Sequence, residues 1–280
     1  TGFIGLVMKP SQPVAPVLSA LRAQQKSAVF VSTRRYDAVD ALRGLAMVWM
    51  TVFHFGFDLS HFGLWSQNFR LDPFWTTQRT VIVSLFLFCA GLGQAIAWHQ
   101  GQSWMRFGRR WAQIAGCALL VSAGSLVMFP QSYIYFGVLH GMAVMLLIAR
   151  CTAGWGQRLW LTGLVALALP SLAHHLLTGP WVDAAPWFDG RGVNWLGLIS
   201  RKPFTEDYVP ILPWLGILWW GLAAGRWLVT RKSSWMSWPL PAAFKPLAVL
   251  GRWSLSYYML HQPLLIGLVM AFVWVTSKTA

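Results

Sequence analysis

Asp40-Ala-Leu-Arg-Gly-Leu-Ala-Met-Val-Trp-Met-Thr-Val-Phe-His54 is the stretch on which the reading of this chain turns. It is an apolar run that carries a guanidinium near its start and an imidazole at its end. Arg43 and His54 stand eleven residues apart. On a helix that is about three turns, which puts both side chains on one face roughly 16 Å apart along the axis. A helix of this kind grips a long anionic ligand at one end and reacts with it at the other.

The rest of the chain sets that helix in a membrane. Of its 280 residues 56% are hydrophobic and only 11% charged, with a mean hydropathy of +0.51. Ordinary soluble domains do not have this composition. Beyond the first span, six further runs are long enough to cross a bilayer: 79–98, 110–129, 133–150, 157–177, 208–229 and 247–275. The expected fold is therefore all-α, a polytopic integral membrane protein of about seven transmembrane helices. The last run exceeds a straight crossing, so it tilts or begins as an interfacial segment around Leu247 to Arg252.

Residues 1–36 read as a basic cytoplasmic arm, with Lys9, Arg22, Lys26, Arg34 and Arg35 among Pro10, Pro13 and Pro16. Its one apolar run, Phe3 to Met8, is too short for a signal peptide. Residues 37–280 read as a single transmembrane domain. With the N-terminus inside, Arg106, Arg109, Arg110, Arg150, Arg158, Arg226, Arg231, Lys232, Lys245 and Arg252 share the inner side. Asp58, Asp72, Asp183, Asp189, Glu206 and Asp207 fall outside, as the positive-inside rule asks. Residues 230–246, with three prolines, form an inner linker, and 58–78 and 178–207 are the long outer loops. The second of these is a candidate lid or acceptor-binding surface, or equally a plain cap.

The net charge of +14 is dispersed over several inner loops, which excludes a nucleic-acid groove and suits topology and anionic lipid. Of the 19 Trp residues many lie near span ends, as Trp65, Trp75, Trp98, Trp104, Trp111, Trp155 and Trp235 do, and fit interfacial belts better than a ligand cage. Cys89, Cys117 and Cys151 lack the paired spacing of a disulfide or a zinc site, and no metal is expected.

Ionisable groups in a bilayer are costly and mark function unless they snorkel. Counted at 1.5 Å per residue, His54 lies about 22 Å from the inner edge, His140 about 20 Å and His261 about 21 Å. Three imidazoles from three helices thus converge on one depth, although His140 and His261 equally fit core histidines. Asp58 follows His54 by four residues, where a carboxylate holds one ring nitrogen and raises the basicity of the other. His61 stands near the helix end. A His–carboxylate pair makes a general base for a hydroxyl or amine. At the inner mouth, Arg43, supplemented by Arg106, Arg109, Arg110 and Arg252, suits phosphates.

Residues 37–63, DAVDALRGLAMVWMTVFHFGFDLSHFG, resemble the start of bacterial membrane proteins grouped with the heparan-α-glucosaminide N-acetyltransferase catalytic domain, part of a wider set of transmembrane acyltransferases with an Arg-x10-His first span. The resemblance continues through 84–91, 136–140, 207–216 and 250–263, where Leu-Gly-Arg-Trp-Ser-Leu-Ser-Tyr-Tyr-Met-Leu-His-Gln-Pro stands. It implies a multi-pass protein of the bacterial inner (plasma) membrane that moves an acetyl or similar acyl group from cytoplasmic acetyl-CoA to a sugar or amino-sugar acceptor of the cell envelope. In this reading His54, Asp58 and His61 are catalytic. Arg43, Arg106, Arg109, Arg110 and Arg252 hold CoA, while His140, His261 and Asp207 bind the acceptor or its oxyanion. Sequences like the lysosomal enzyme tend to carry Asn where His54 stands and place the working His further on, so His61 is a rival base.

Direct transfer and an acyl-histidine intermediate both stay open, as does a homodimer. The alternatives are a haem-binding electron-transfer protein, since matched histidines also describe b-type cytochromes, and a transporter or scaffold without chemistry.

Overall fold

The computed structural model describes residues 35–231 and 239–279. Nearly all of the expected basic arm and the middle of the expected 230–246 linker lie outside the described residues. The helices are α1 (Asp37–His61), α2 (Pro73–His99), α3 (Trp104–Met128), α4 (Val138–Thr152), α5 (Arg158–Leu177), a short α6 (Ala185–Asp189), α7 (Ile211–Arg231), α8 (Lys245–Arg252) and α9 (Ser254–Thr279). No strand is found among the described residues, only an isolated parallel bridge from Phe136 to Tyr208. The protein is an all-α polytopic membrane protein.

Six of these helices are long and apolar enough to cross a membrane: α1, α2, α3, α4 with its extension to Trp155, α5 and α9. The seventh expected run corresponds to α7, whose tryptophans, glycines and Arg226 dilute its apolar character. Yet α7 is the centre of the fold. It packs along α2 and α5 and also meets α4, burying Leu215, Leu218 and Leu222 against Leu87, Leu139, Met145 and Leu159.

Apolar side chains gain little by leaving lipid for protein, so helices associate in membranes through close van der Waals packing. Here glycine allows the approach. A Cβ on Gly221 would collide with the Phe88 carbonyl of α2, and one on Gly91 with the Leu218 carbonyl of α7. The same device seats α8 on the first turns of α1, where Gly44 meets Leu247 and Gly251 meets the Asp40 carbonyl. A second cluster, Met47, Met50, Phe53, Phe69 and Ile82, joins α1 to α2.

Several boundaries differ from the sequence expectation, each for a local reason. The fourth span begins at Val138 rather than at 133, because the preceding residues are extended and bonded elsewhere. The Ser125 hydroxyl takes the Ile134 N–H at 2.9 Å, and the Phe136 carbonyl takes the Val209 N–H at 3.2 Å. His140 consequently sits in the first turn of α4, not seven residues in. Asp72 caps α2 by accepting from the Phe74 N–H at 2.8 Å, which draws Arg79 into the helix. Ser103 caps α3, which puts Arg106, Arg109 and Arg110 on its first two turns. The long last run breaks at Trp253 into the amphipathic α8 and the spanning α9.

Contacts between helix ends define two faces. On one, Arg252 meets Asp37 at 2.7 Å, Arg150 bonds the Gln102 carbonyl, and Arg226 bonds the Ala153 carbonyl while lying 4.3 Å from the Trp98 ring centre. We call this the arginine face. On the opposite, loop face, Glu206 accepts from Ser132 at 2.6 Å and pairs with Arg70 at 3.3 Å. The loop at 178–207 is itself folded, since Asp189 accepts from the Ser200 hydroxyl at 2.6 Å and its N–H at 2.8 Å.

The Gly221 contact tests this packing. Gly221→Val should lower the thermal midpoint, read by intrinsic tryptophan fluorescence in micelles, by an overpacking cost of about 1–3 kcal/mol or more. Gly116→Ala, with open space where its Cβ would stand, should keep the midpoint or raise it slightly, since alanine is the better helix former.

Candidate functional site

Helices α1 and α9 bring two histidines together. The His54 and His261 rings meet edge-on with centroids 5.2 Å apart. An interhelical hydrogen bond flanks the contact on each side. The Thr51 hydroxyl donates to the Met47 carbonyl at 2.8 Å, so at 2.7 Å from the Tyr257 hydroxyl it is the acceptor. One turn beyond His54, Gln262 Nε2 donates to Asp58 Oδ1 at 2.8 Å.

The tautomer of His261 follows from its partner. Nδ1 lies 2.7 Å from the Tyr258 carbonyl oxygen, which can only accept, so Nδ1 carries the proton. Nε2 of the neutral ring is then a bare acceptor. It is buried and has no partner among the described residues, and the same holds for Asp58 Oδ2 and Gln262 Oε1. Neither ring nitrogen of the half-buried His54 makes a hydrogen bond among the described residues. Buried polar atoms are nearly always paired. A group of orphaned acceptors beside an unengaged imidazole suits a ligand that brings hydroxyl or amine donors.

The other expected residues lie elsewhere. Asp58 is buried on the His54 face, but its bond goes to Gln262 rather than to the imidazole. His61 is exposed at the end of α1, stacked on Phe57 with centroids 6.3 Å apart. It lines a separate cavity of about 720 Å³ with Ser60, Gln67 and Arg70. Both ring nitrogens of His140 are engaged, Nδ1 by the Gly137 N–H at 3.3 Å and Nε2 by the Ser122 hydroxyl at 3.0 Å. That makes it a brace between α3 and α4, apart from the histidine pair.

Arg43 is half-buried three turns below His54. Its Nη1 meets Asp40 at 2.9 Å and the Gly251 carbonyl at 3.4 Å, and Nη2 stands 3.7 Å from where a Cβ on Gly93 would be. Arg252 shares Asp40, at 3.7 Å. Arg110 lies near enough to Arg43 for the two charges to repel. Neither it, Arg106 nor Arg109 forms an ion pair among the described residues. The arginine face is thus rich in cations whose neutralisation is incomplete.

On the loop face a groove of about 540 Å³ opens between α2, α5 and the start of α7, lined by Arg79, His174, Lys202, Asp207, Pro170 and Trp214 among others. Asp207 Oδ2 accepts from the Val138 N–H at 2.7 Å, capping α4. Its charge also reaches Tyr258, whose ring lies 5.6 Å from that of His261. The Tyr258 and Gln262 contributions were missed in the sequence, although both flank His261 in a quoted block. The local signal was present, but its partner on α1 was not.

Burial raises the Asp207 carboxyl above its ordinary range, against the Val138 N–H and the Lys202 and Arg79 charges, which lower it. A raised folded value means that ionisation opposes folding, so this contribution to stability is complete below the ordinary aspartate value and fades as pH rises through the folded one. Asp207→Asn keeps an oxygen for Val138 and cannot ionise. Its thermal midpoint, relative to wild type, should therefore rise as pH increases from about 4, the ordinary aspartate value. A difference that is flat or falls with pH would contradict this.

The family model described as heparan-alpha-glucosaminide N-acetyltransferase, catalytic, matches residues 35–263. Neither a curated protein nor a solved structure matches the chain. The matched region holds α1 with Arg43 and His54, the groove, and α9 as far as Pro263. On that match, the chain belongs to the heparan-alpha-glucosaminide N-acetyltransferase catalytic family of membrane acetyltransferases.

Proposed function

We propose that this protein transfers an acetyl or similar acyl group from acyl-CoA, bound from the cytoplasm, to a hydroxyl or amine of a sugar or amino-sugar acceptor arriving from the opposite face. The observation that carries this reading is the His54–His261 pair, set beside unpartnered acceptor atoms three turns above the cationic mouth at Arg43. The CoA phosphates meet Arg43 and the arginines that begin α3, and Arg252 closes the mouth. Forked guanidinium donors suit such phosphates. The pantetheine arm follows the α1 face, and the thioester carbonyl comes to rest near His54.

The acceptor enters beneath the 178–207 loop and offers its donors to the orphaned atoms. Its oxygen or nitrogen attacks the thioester carbon while its proton passes to His54. The C–S bond then breaks, and CoA leaves as the thiol with that proton. His261, with its proton held on Nδ1, presents Nε2 to hydrogen-bond the acceptor or the imidazolium that forms. Asp58 acts here through Gln262 by fixing α9 against α1, as a positioning residue. His61 and His140 have no part in the chemical step. Haem ligation is disfavoured, because edge-on rings with centroids 5.2 Å apart leave no space for a porphyrin between them.

Release of free CoA from radiolabelled acetyl-CoA, measured with candidate amino sugars, tests the reading. His54→Ala should lower turnover by about 10²–10⁴-fold, the range for loss of a general base. His61→Ala should keep wild-type turnover. A folded His54→Ala protein with full activity would end the assignment. Arg43→Gln should raise the KM for acetyl-CoA about tenfold or more, as loss of a charge-assisted phosphate contact implies, with a smaller change in kcat.

A further inference from the structure

The loop-face groove holds two cations that the acyl-transfer reading does not use. Arg79 is half-buried in α2, and Lys202 is exposed on the loop that crosses the groove. Neither makes an ion pair or a hydrogen bond among the described residues. The carboxylates beside them are committed elsewhere: Glu206 to Ser132 and Arg70, Asp207 to the Val138 N–H. Arg79 and Lys202 repel one another, and Asp207 attracts both from a distance without forming an ion pair with either, so each would gain from a further anion placed within bonding distance.

Depth narrows the class of anion. Helix α2 has 27 residues, about 40 Å, and overhangs a hydrocarbon core of about 30 Å by some 5 Å at each end. Arg79 lies six residues into it, about 9 Å from that end, so its guanidinium snorkels to the level of lipid phosphates. Beside the two cations the groove carries an apolar wall of Val83, Pro170, Leu212 and Trp214. A soluble anion has no use for such a wall, whereas a lipid places its phosphate on the cations and its chain along the furrow.

We propose that the groove between α2, α5 and α7 binds a phosphate-bearing lipid, with the phosphate held by Arg79 and Lys202 and the apolar chain lying over Pro170 and Trp214. Arg79 forks onto two phosphate oxygens, and Lys202 adds a point charge from the loop side. Basic pockets between transmembrane helices bind lipid headgroups by this physics.

Binding is read without acetyl-CoA, so this proposal and acyl transfer fail separately. The full chain in micelles is titrated with phosphatidylglycerol, phosphatidylcholine or inorganic phosphate, and bound lipid is counted by native mass spectrometry. Phosphatidylglycerol should bind wild type more tightly than phosphatidylcholine. Arg79→Gln and Lys202→Gln should each weaken it about fivefold, and together about 25-fold, from the usual contribution of one basic residue to an anionic lipid. Arg79→Lys should recover part of the loss. Circular dichroism checks folding, and the exposed Lys202 gives a reading should the double variant misfold. Unchanged binding by Lys202→Gln or by the double variant overturns the site. Equal binding of phosphatidylcholine reduces it to an apolar furrow and also overturns it. Displacement of the lipid by millimolar inorganic phosphate would make the ligand a soluble anion and overturn the lipid assignment.

Discussion

Two hydrogen bonds, Tyr257 to Thr51 and Gln262 to Asp58, hold α9 against α1 on either side of the His54–His261 contact. Everything proposed for the chemistry depends on this clamp, because α9 has little other protein around it: 11% of its most apolar window is buried. In a bilayer an apolar helix gains little from exchanging lipid for protein neighbours. Polar pairs supply what the hydrophobic effect does not, and the Gln262–Asp58 pair leaves both Gln262 Oε1 and Asp58 Oδ2 without a donor among the described residues. The clamp and the reactive site are therefore one arrangement: the residues that fix the helix also expose the unsatisfied acceptors.

Around that clamp the fold is a rigid frame. Glycine at the crossings of α2 with α7 and of α1 with α8 lets backbones meet directly, and a side chain at any of these positions would have to displace a carbonyl. This fixes the height of Arg43 relative to α8, and so holds the Asp40, Arg43 and Arg252 cluster in register. The central α7 owes its position to packing, and it is not among the helices whose longest apolar window suffices to cross a membrane. A helix enclosed by protein need not satisfy lipid around its whole circumference, which frees it to carry tryptophans and Arg226.

The two faces differ in electrostatics. On the arginine face, cations outnumber their acidic partners at the mouth beside α1. On the loop face, Asp72, Asp189, Glu206 and Asp207 are tied down by hydrogen bonds and caps, and Arg79 and Lys202 make no ion pair among the described residues. Both faces therefore attract anions, from opposite sides of the helix bundle.

The sequence by itself determined the all-α membrane class, the location of the seven long helices, the family and the shared face of Arg43, His54 and Asp58. These follow from hydropathy, helical period and short motifs, all of which are local properties of the chain. It could not decide which histidine His54 would meet. Depth counting placed His140, His54 and His261 at one level, but depth says nothing about which helices are neighbours, and His140 proved to be braced between α3 and α4. Nor could it foresee that Asp58 would bond Gln262 rather than His54, since an i to i+4 spacing permits a contact that a neighbouring helix can outbid. Partner choice, the orphaned acceptors and the loop-face groove were decided only by tertiary packing, because each depends on groups from helices far apart in sequence brought to hydrogen-bonding distance.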